Sequence, residues 1–156
     1  MKKIEFVDLL ANYNSIKSDI DNAIKAVITD TAFIGSSGNK YVSDFENKFS
    51  EYLGIRHTIS CANGTDAIEI ALKALDIKEG DEVIVPALTW ISTDGAVVNI
   101  GATPVFVDIN DTSYTINDNL IEEKITKKTK AIIAVHLYGL PANIDAIKSV
   151  CKKHDL

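Results

Sequence analysis

Three short apolar runs, set apart by segments of helical periodicity, constrain the fold of this sequence more than any other feature. Glu82 to Val85 and Pro104 to Val107 read as strands, and Ala131 to His136 is a third, almost wholly apolar run. Such runs fit strands buried on both faces. A helical stretch around Ser92 to Asn99 separates the first two, and a helix from about Asp118 to Ile125 precedes the third. Strand and helix in alternation define an α/β layered domain with a largely parallel sheet.

The flanking segments are helical in pattern. Ile16, Ile20, Ile24, Val27 and Ile28 predict an amphipathic helix that ends before a Gly35 to Gly38 loop. A second helix runs through Val42, Phe45, Phe49 and Leu53 and is stopped by Gly54, and a short strand is expected from His57 to Cys61. After Gly64, the residues Ile68, Ala71, Leu72 and Leu75 form one helical face, with Glu69 and Lys73 placed to pair on the other. A last helix from Asn143 turns Ile144, Ile147, Val150 and Cys151 inward. No repeat or low-complexity linker interrupts residues 1–156, so no internal domain boundary is expected. The chain stops at a helix exit, where a βα pattern would run on into another strand, and the sheet is therefore expected to be incomplete.

At 156 residues and 46% hydrophobic content the chain can bury a core. A net charge of −6 argues against a nucleic-acid surface, which needs clustered Lys and Arg. The basic cluster Lys124, Lys127, Lys128 and Lys130 reads as a solvated helix end and loop. The N-terminal MKKIEFVDLL has no sustained apolar run before Glu5 and Asp8, so neither a signal peptide nor a membrane anchor is expected, and the location expected is cytoplasmic. Cys61 and Cys151 are too few for a disulfide framework, and His57, His136 and His154 form no metal-ligand spacing with them. Both thiols are expected to be reduced and unreactive.

Two stretches could carry chemistry. In CANGTDAIEIALKAL, Gly64 permits a tight turn into a helix, which leaves the amides of Thr65, Asp66 and Ala67 at a helix N-terminus able to cradle an anion such as phosphate. Equally, Asn63 or Thr65 is a simple N-cap and Asp66 complements the helix dipole. Neither G-x-G-x-x-G nor G-x-x-x-x-G-K-[ST] occurs. In DEVIVPALTW the chain's single tryptophan, Trp90, follows a strand end, where parallel-sheet folds place their ligands. It is either a platform for a flat heteroaromatic ring or a core or interface residue.

Taken together and in order, FVDL, FIGSSGNKYVSDFE, NGTDAIEIALKAL, GDEVIVPALTW, GATPVFVDI and TKAIIAVHLYGLPANIDAI resemble the DegT/DnrJ/EryC1/StrS family of sugar aminotransferases across essentially all 156 residues. The resemblance implies part of the large domain of the type I fold of pyridoxal phosphate (PLP) enzymes, a three-layer α/β/α arrangement with a mostly parallel sheet. It implies pyridoxal 5'-phosphate as cofactor, a keto sugar linked to a nucleotide as substrate, an amino donor such as glutamate, and a homodimer. It places Gly64, Thr65 and Asp66 at the cofactor phosphate and Trp90 against the pyridine ring. The Phe33 to Gly38 loop and the Asn12 to Tyr13 region resemble segments near the sugar-nucleotide pocket, and His136 and Tyr138 are expected to be structural.

The same resemblance puts two family features after Leu156: the acidic residue that pairs with the pyridine nitrogen and the Schiff-base lysine. No catalytic residue is therefore expected in this chain, which alone is expected to be inactive. The role implied is part of an aminotransferase of cell-surface polysaccharide or amino-sugar biosynthesis. The alternative is a non-catalytic binding or regulatory module that pairs with a longer homologue. An ordinary doubly wound nucleotide-binding domain is disfavoured by the missing glycine fingerprint.

Overall fold

The computed structural model of the chain describes residues 4–34 and 39–156. The Gly35 to Gly38 loop and the first three residues of the N-terminal stretch lie outside the described residues. Contacts group the chain into two compact units, Met1–Ser60 and Cys61–Leu156.

In the first unit, α1 (Leu9–Ser15), α2 (Lys17–Thr29) and α3 (Lys40–Leu53) follow one another. Asp8 caps α1 by accepting the Ala11 N–H at 2.8 Å. The helix expected from Ile16 forms as α2; at Ile16 itself, between α1 and α2, the backbone leaves helical geometry and its N–H closes back on the Tyr13 carbonyl at 3.1 Å. Asp30, just past α2, accepts the Tyr41 hydroxyl at 2.7 Å and pairs with Lys40 at 2.5 Å, which ties the end of α2 to the start of α3. Asn39 caps α3, and Gly54 ends it in the left-handed region at φ 66°, where a side chain would be strained. None of these helices has a buried residue: the stripe Ile16, Ile20, Ile24 and Ile28 is 38–56% exposed. The periodicity is that of an amphipathic face, but no core within the unit receives it.

The strand expected from His57 to Cys61 is not formed. The segment is irregular and joins no ladder among the described residues, and the Ser60 N–H donates to the Glu46 carboxylate at 2.8 Å instead. An extended segment becomes a strand only where another backbone supplies partners.

The second unit begins with α4 (Gly64–Ala74). It continues through β1 (Glu82–Pro86), α5 (Ser92–Asn99), β2 (Thr103–Val107), α6 (Asp118–Ile121), β3 (Thr129–Ile132) and α7 (Ile144–His154). The three strands form a parallel sheet in the order β2-β1-β3. Alternation along β1 sends Val83 and Val85 to one face, with Leu72 of α4 and Val97 of α5, and Ile84 to the other, with Val107, Ile121 of α6 and Ile147 of α7. Both faces are covered, which is why β1 reads as a continuous apolar run. Helix α6 is shorter than its pattern and tightens into a 3-10 turn over Glu122–Lys124. Strand β3 starts earlier and ends sooner than the run Ala131 to His136. Ile133 still donates to the Ile84 carbonyl at 2.8 Å, and beyond it Ala134 packs against the core, since apolar length reports burial and not pairing.

One local expectation is replaced by a tertiary partner. Glu69 accepts the Asn99 side-chain amide of α5 at 2.7 Å in place of an ion pair with Lys73, because α5 packs alongside α4. Cys61 is exposed, with its Sγ 3.4 Å from the Asn63 carbonyl, while burial pushes the half-buried Cys151 thiol up. His136 has a structural contact: its Nδ1 accepts the Ala142 N–H at 3.1 Å and holds the turn between β3 and α7. Among the described residues no helix is long and apolar enough to cross a membrane.

Candidate functional site

The loop from Ala87 to Ile91 leaves the carboxyl end of β1, the end where open α/β sheets bind ligands. A cavity of about 440 Å³ opens there, within the usual small-molecule range of about 300–1,000 Å³. Asn63, Gly64, Thr65 and Ile68 line it from the start of α4, and Trp90, Ser92 and Thr93 line it from the segment after β1. Gly64, Thr65 and Trp90, distant in sequence, thus share one cavity, whereas Asp66 is not among its lining residues.

The amides of the first turn of α4 are not equivalent. Asn63 is the N-cap: its side-chain oxygen accepts the Asp66 N–H at 3.0 Å and its carbonyl accepts the Ala67 N–H at 3.1 Å. Of the amides expected to be open, Asp66 and Ala67 are therefore engaged. Gly64 and Thr65 are left, their N–H groups without an acceptor among the described residues. Gly64 is not at positive φ, so the turn does not need glycine for its conformation. A Cβ there would meet no protein atom within 4 Å and would project into open space. The glycine leaves room for something to approach the backbone closely.

Trp90 is 74% exposed and makes no ring contact with another aromatic among the described residues. It is neither core nor packed against a neighbouring ring, and its face is available to a ligand. No lining residue is titratable, so the positive potential at the α4 end comes from backbone N–H groups and the helix dipole. A phosphate dianion suits that end and a flat ring suits the other, so the residues present fit a phosphorylated heteroaromatic cofactor. No lysine lines the cavity.

Sequence reasoning passed over Ser92 and Thr93 as site residues. The available signal was two hydroxyl residues two and three positions after the tryptophan, at the start of a helix. A second groove of about 420 Å³ runs along α4 and β3, lined by residues that include Ile68, Leu72, Leu75 and Ile132. It is apolar throughout and has nothing to hold a charge.

The family profile described as the DegT/DnrJ/EryC1/StrS aminotransferase family matches residues 14–156, and the chain belongs to that family. It is 45% identical over 154 residues to a UDP-N-acetyl-3-dehydro-alpha-D-glucosamine 3-aminotransferase of Acidithiobacillus ferrooxidans, covering 98% of this chain and 41% of that protein. It is 46% identical over 127 residues to a GDP-perosamine synthase of Escherichia coli O157:H7, covering 81% of this chain and 35% of that protein. Among solved structures, NtdA from Bacillus subtilis with bound cofactor PMP superposes with a TM-score of 0.93 at 36% identity, covering 100% of this chain and 35% of that one. The fold is thus part of a PLP-dependent aminotransferase fold, and aminotransferases of this family depend on that cofactor. The chain spans about two-fifths of the length of these relatives.

Proposed function

We propose that residues 1–156 supply the phosphate-holding and ring-facing part of a PLP-dependent aminotransferase that acts on a nucleotide-linked keto sugar, with glutamate as amino donor and a homodimer as working form. The observation that carries this reading is the cavity lined by both the α4 N-terminus, at Gly64 and Thr65, and the exposed Trp90. When bound, pyridoxal phosphate supplies the electron sink for exchanging an amino group and a carbonyl. Gly64 and Thr65 hold the phosphate by their N–H groups, and the Thr65 hydroxyl adds a donor. Asp66 joins through its amide when a phosphate oxygen replaces the Asn63 side chain as acceptor. Trp90 fixes the plane of the pyridine ring and shields one of its faces from water. The amine that carries the covalent step comes from outside the cavity lining, since no lysine lies in it.

The relatives described above are named for a UDP-linked dehydro sugar and for the synthesis of GDP-perosamine, which favours a nucleotide sugar as substrate and a place in amino-sugar or cell-surface polysaccharide biosynthesis. The test uses the full-length protein. Wild type should show the visible absorption of bound pyridoxal phosphate and consume glutamate in the presence of a keto nucleotide sugar. Trp90→Ala should weaken cofactor binding about 3- to 10-fold, the equivalent of an aromatic stack of about 0.5–1.5 kcal/mol. Unchanged affinity in Trp90→Ala would remove the ring-stacking role.

A further inference from the structure

The geometry points to Thr93 as a positioning residue that acts through Thr89 to fix Trp90 in the cofactor cavity, a role that rests on the function proposed above. Trp90 sits in a loop with no ladder or helix of its own, and three-quarters of its surface is open. Left to itself, such a ring would sample several rotamers, and ordering it on binding would oppose affinity. The backbone around it is nevertheless held from both sides by one residue. The Thr93 N–H donates to the Trp90 carbonyl at 2.9 Å, and the Thr93 hydroxyl lies 2.9 Å from the Thr89 hydroxyl, immediately before the tryptophan.

Thr93 is well placed to act as an anchor. It is buried, at 5% exposed, and belongs to the first turn of α5, whose Ala96 and Val97 are fully buried in the second unit. A helical threonine commonly returns its hydroxyl to the carbonyl four residues back. Here the hydrogen bond goes to the side chain of residue 89, four positions earlier, which converts a local satisfaction into a clamp across the Trp90 loop. Thr93 also lines the cavity, together with Trp90. The merely structural reading is that the two hydroxyls satisfy each other and nothing depends on it.

The two readings separate in the full-length protein. Thr93→Val keeps shape and burial but removes the hydroxyl, and Thr93→Ser restores it; Thr89→Val cuts the same bond from outside the helix, should the first variant fail to fold. Time-resolved fluorescence anisotropy of Trp90 is read without cofactor, with a Trp90→Phe variant subtracted to remove any other tryptophan. We expect faster ring motion and about 3- to 10-fold weaker pyridoxal phosphate binding in either valine variant, little change in melting temperature, and wild-type behaviour within about twofold in Thr93→Ser. Wild-type ring motion and affinity in both valine variants would overturn the clamp, even with the effect of Trp90→Ala intact. Unchanged affinity in Trp90→Ala would instead overturn the stacking reading, and the anisotropy would still decide whether the clamp orders the ring.

Discussion

Gly64 shows how a single residue can be read two ways until its backbone is known. Its φ is not positive and an added Cβ meets no protein atom within 4 Å, so neither turn geometry nor internal packing calls for glycine. What the missing side chain provides is access to two N–H groups without an acceptor among the described residues. Gly64→Ala is therefore expected to leave thermal stability unchanged, or to raise it by about 0.4–1 kcal/mol through the unfolded chain. It should also weaken pyridoxal phosphate binding several-fold. A titration run beside a thermal melt separates the effects, and a variant that loses stability while keeping affinity would reassign Gly64 to folding.

At the scale of elements, the asparagine caps set where helices begin. Asn143 accepts the Ala146 N–H at 3.3 Å and donates from its side chain to Asp118 at 3.0 Å, so it both starts α7 and ties it to α6. Asn143→Ala should lower stability by about 0.5–2 kcal/mol in denaturant melts while cofactor affinity stays at the wild-type value. Asn63 does the same for α4, but inside the cavity, and its cap decides which amides remain open. Capping residues and Gly54 are legible in sequence because each acts on its own few neighbours. The partner of Glu69 is not, because Asn99 lies thirty residues away on another helix.

For the whole molecule, the second unit is held by a sheet buried on both faces. Ile84 is fully buried at its centre, and Ile84→Ala should lose about 2–5 kcal/mol, measured by denaturant unfolding. Acid sensitivity has an identifiable contributor in Glu122, which Lys153 and then His154 hold below the usual carboxylate range, the His154 Nε2 contact being 2.7 Å. A depressed folded pKa contributes stability above the ordinary carboxylate range, and that contribution is lost as pH falls through the lowered value. Glu122→Gln should thus melt below wild type at neutral pH, with the gap closing as pH falls below the ordinary carboxylate range. A gap that persists in acid would point to lost packing. For the 156-residue chain expressed alone, two contacts of about 1 kcal/mol each are expected to give a dissociation constant no better than about millimolar, to be checked by equilibrium dialysis.

The sequence by itself determined the α/β class, the parallel β1, β2 and β3 core, the end of α3 at Gly54 and the span of α5, because each follows from short-range periodicity or capping. Its order of motifs was also enough to point to the family. Among the described residues, tertiary structure alone decided that His57 to Cys61 joins no sheet, that the isoleucine stripe of α2 stays unburied, and that α4 leaves Gly64 and Thr65 open while Asn63 engages Asp66. It also placed Ser92 and Thr93 in the cavity with Trp90. The division has one physical cause. Periodicity states which face of an element is apolar, but a strand partner, an acceptor for an amide or a cover for that face comes from residues far away in the chain.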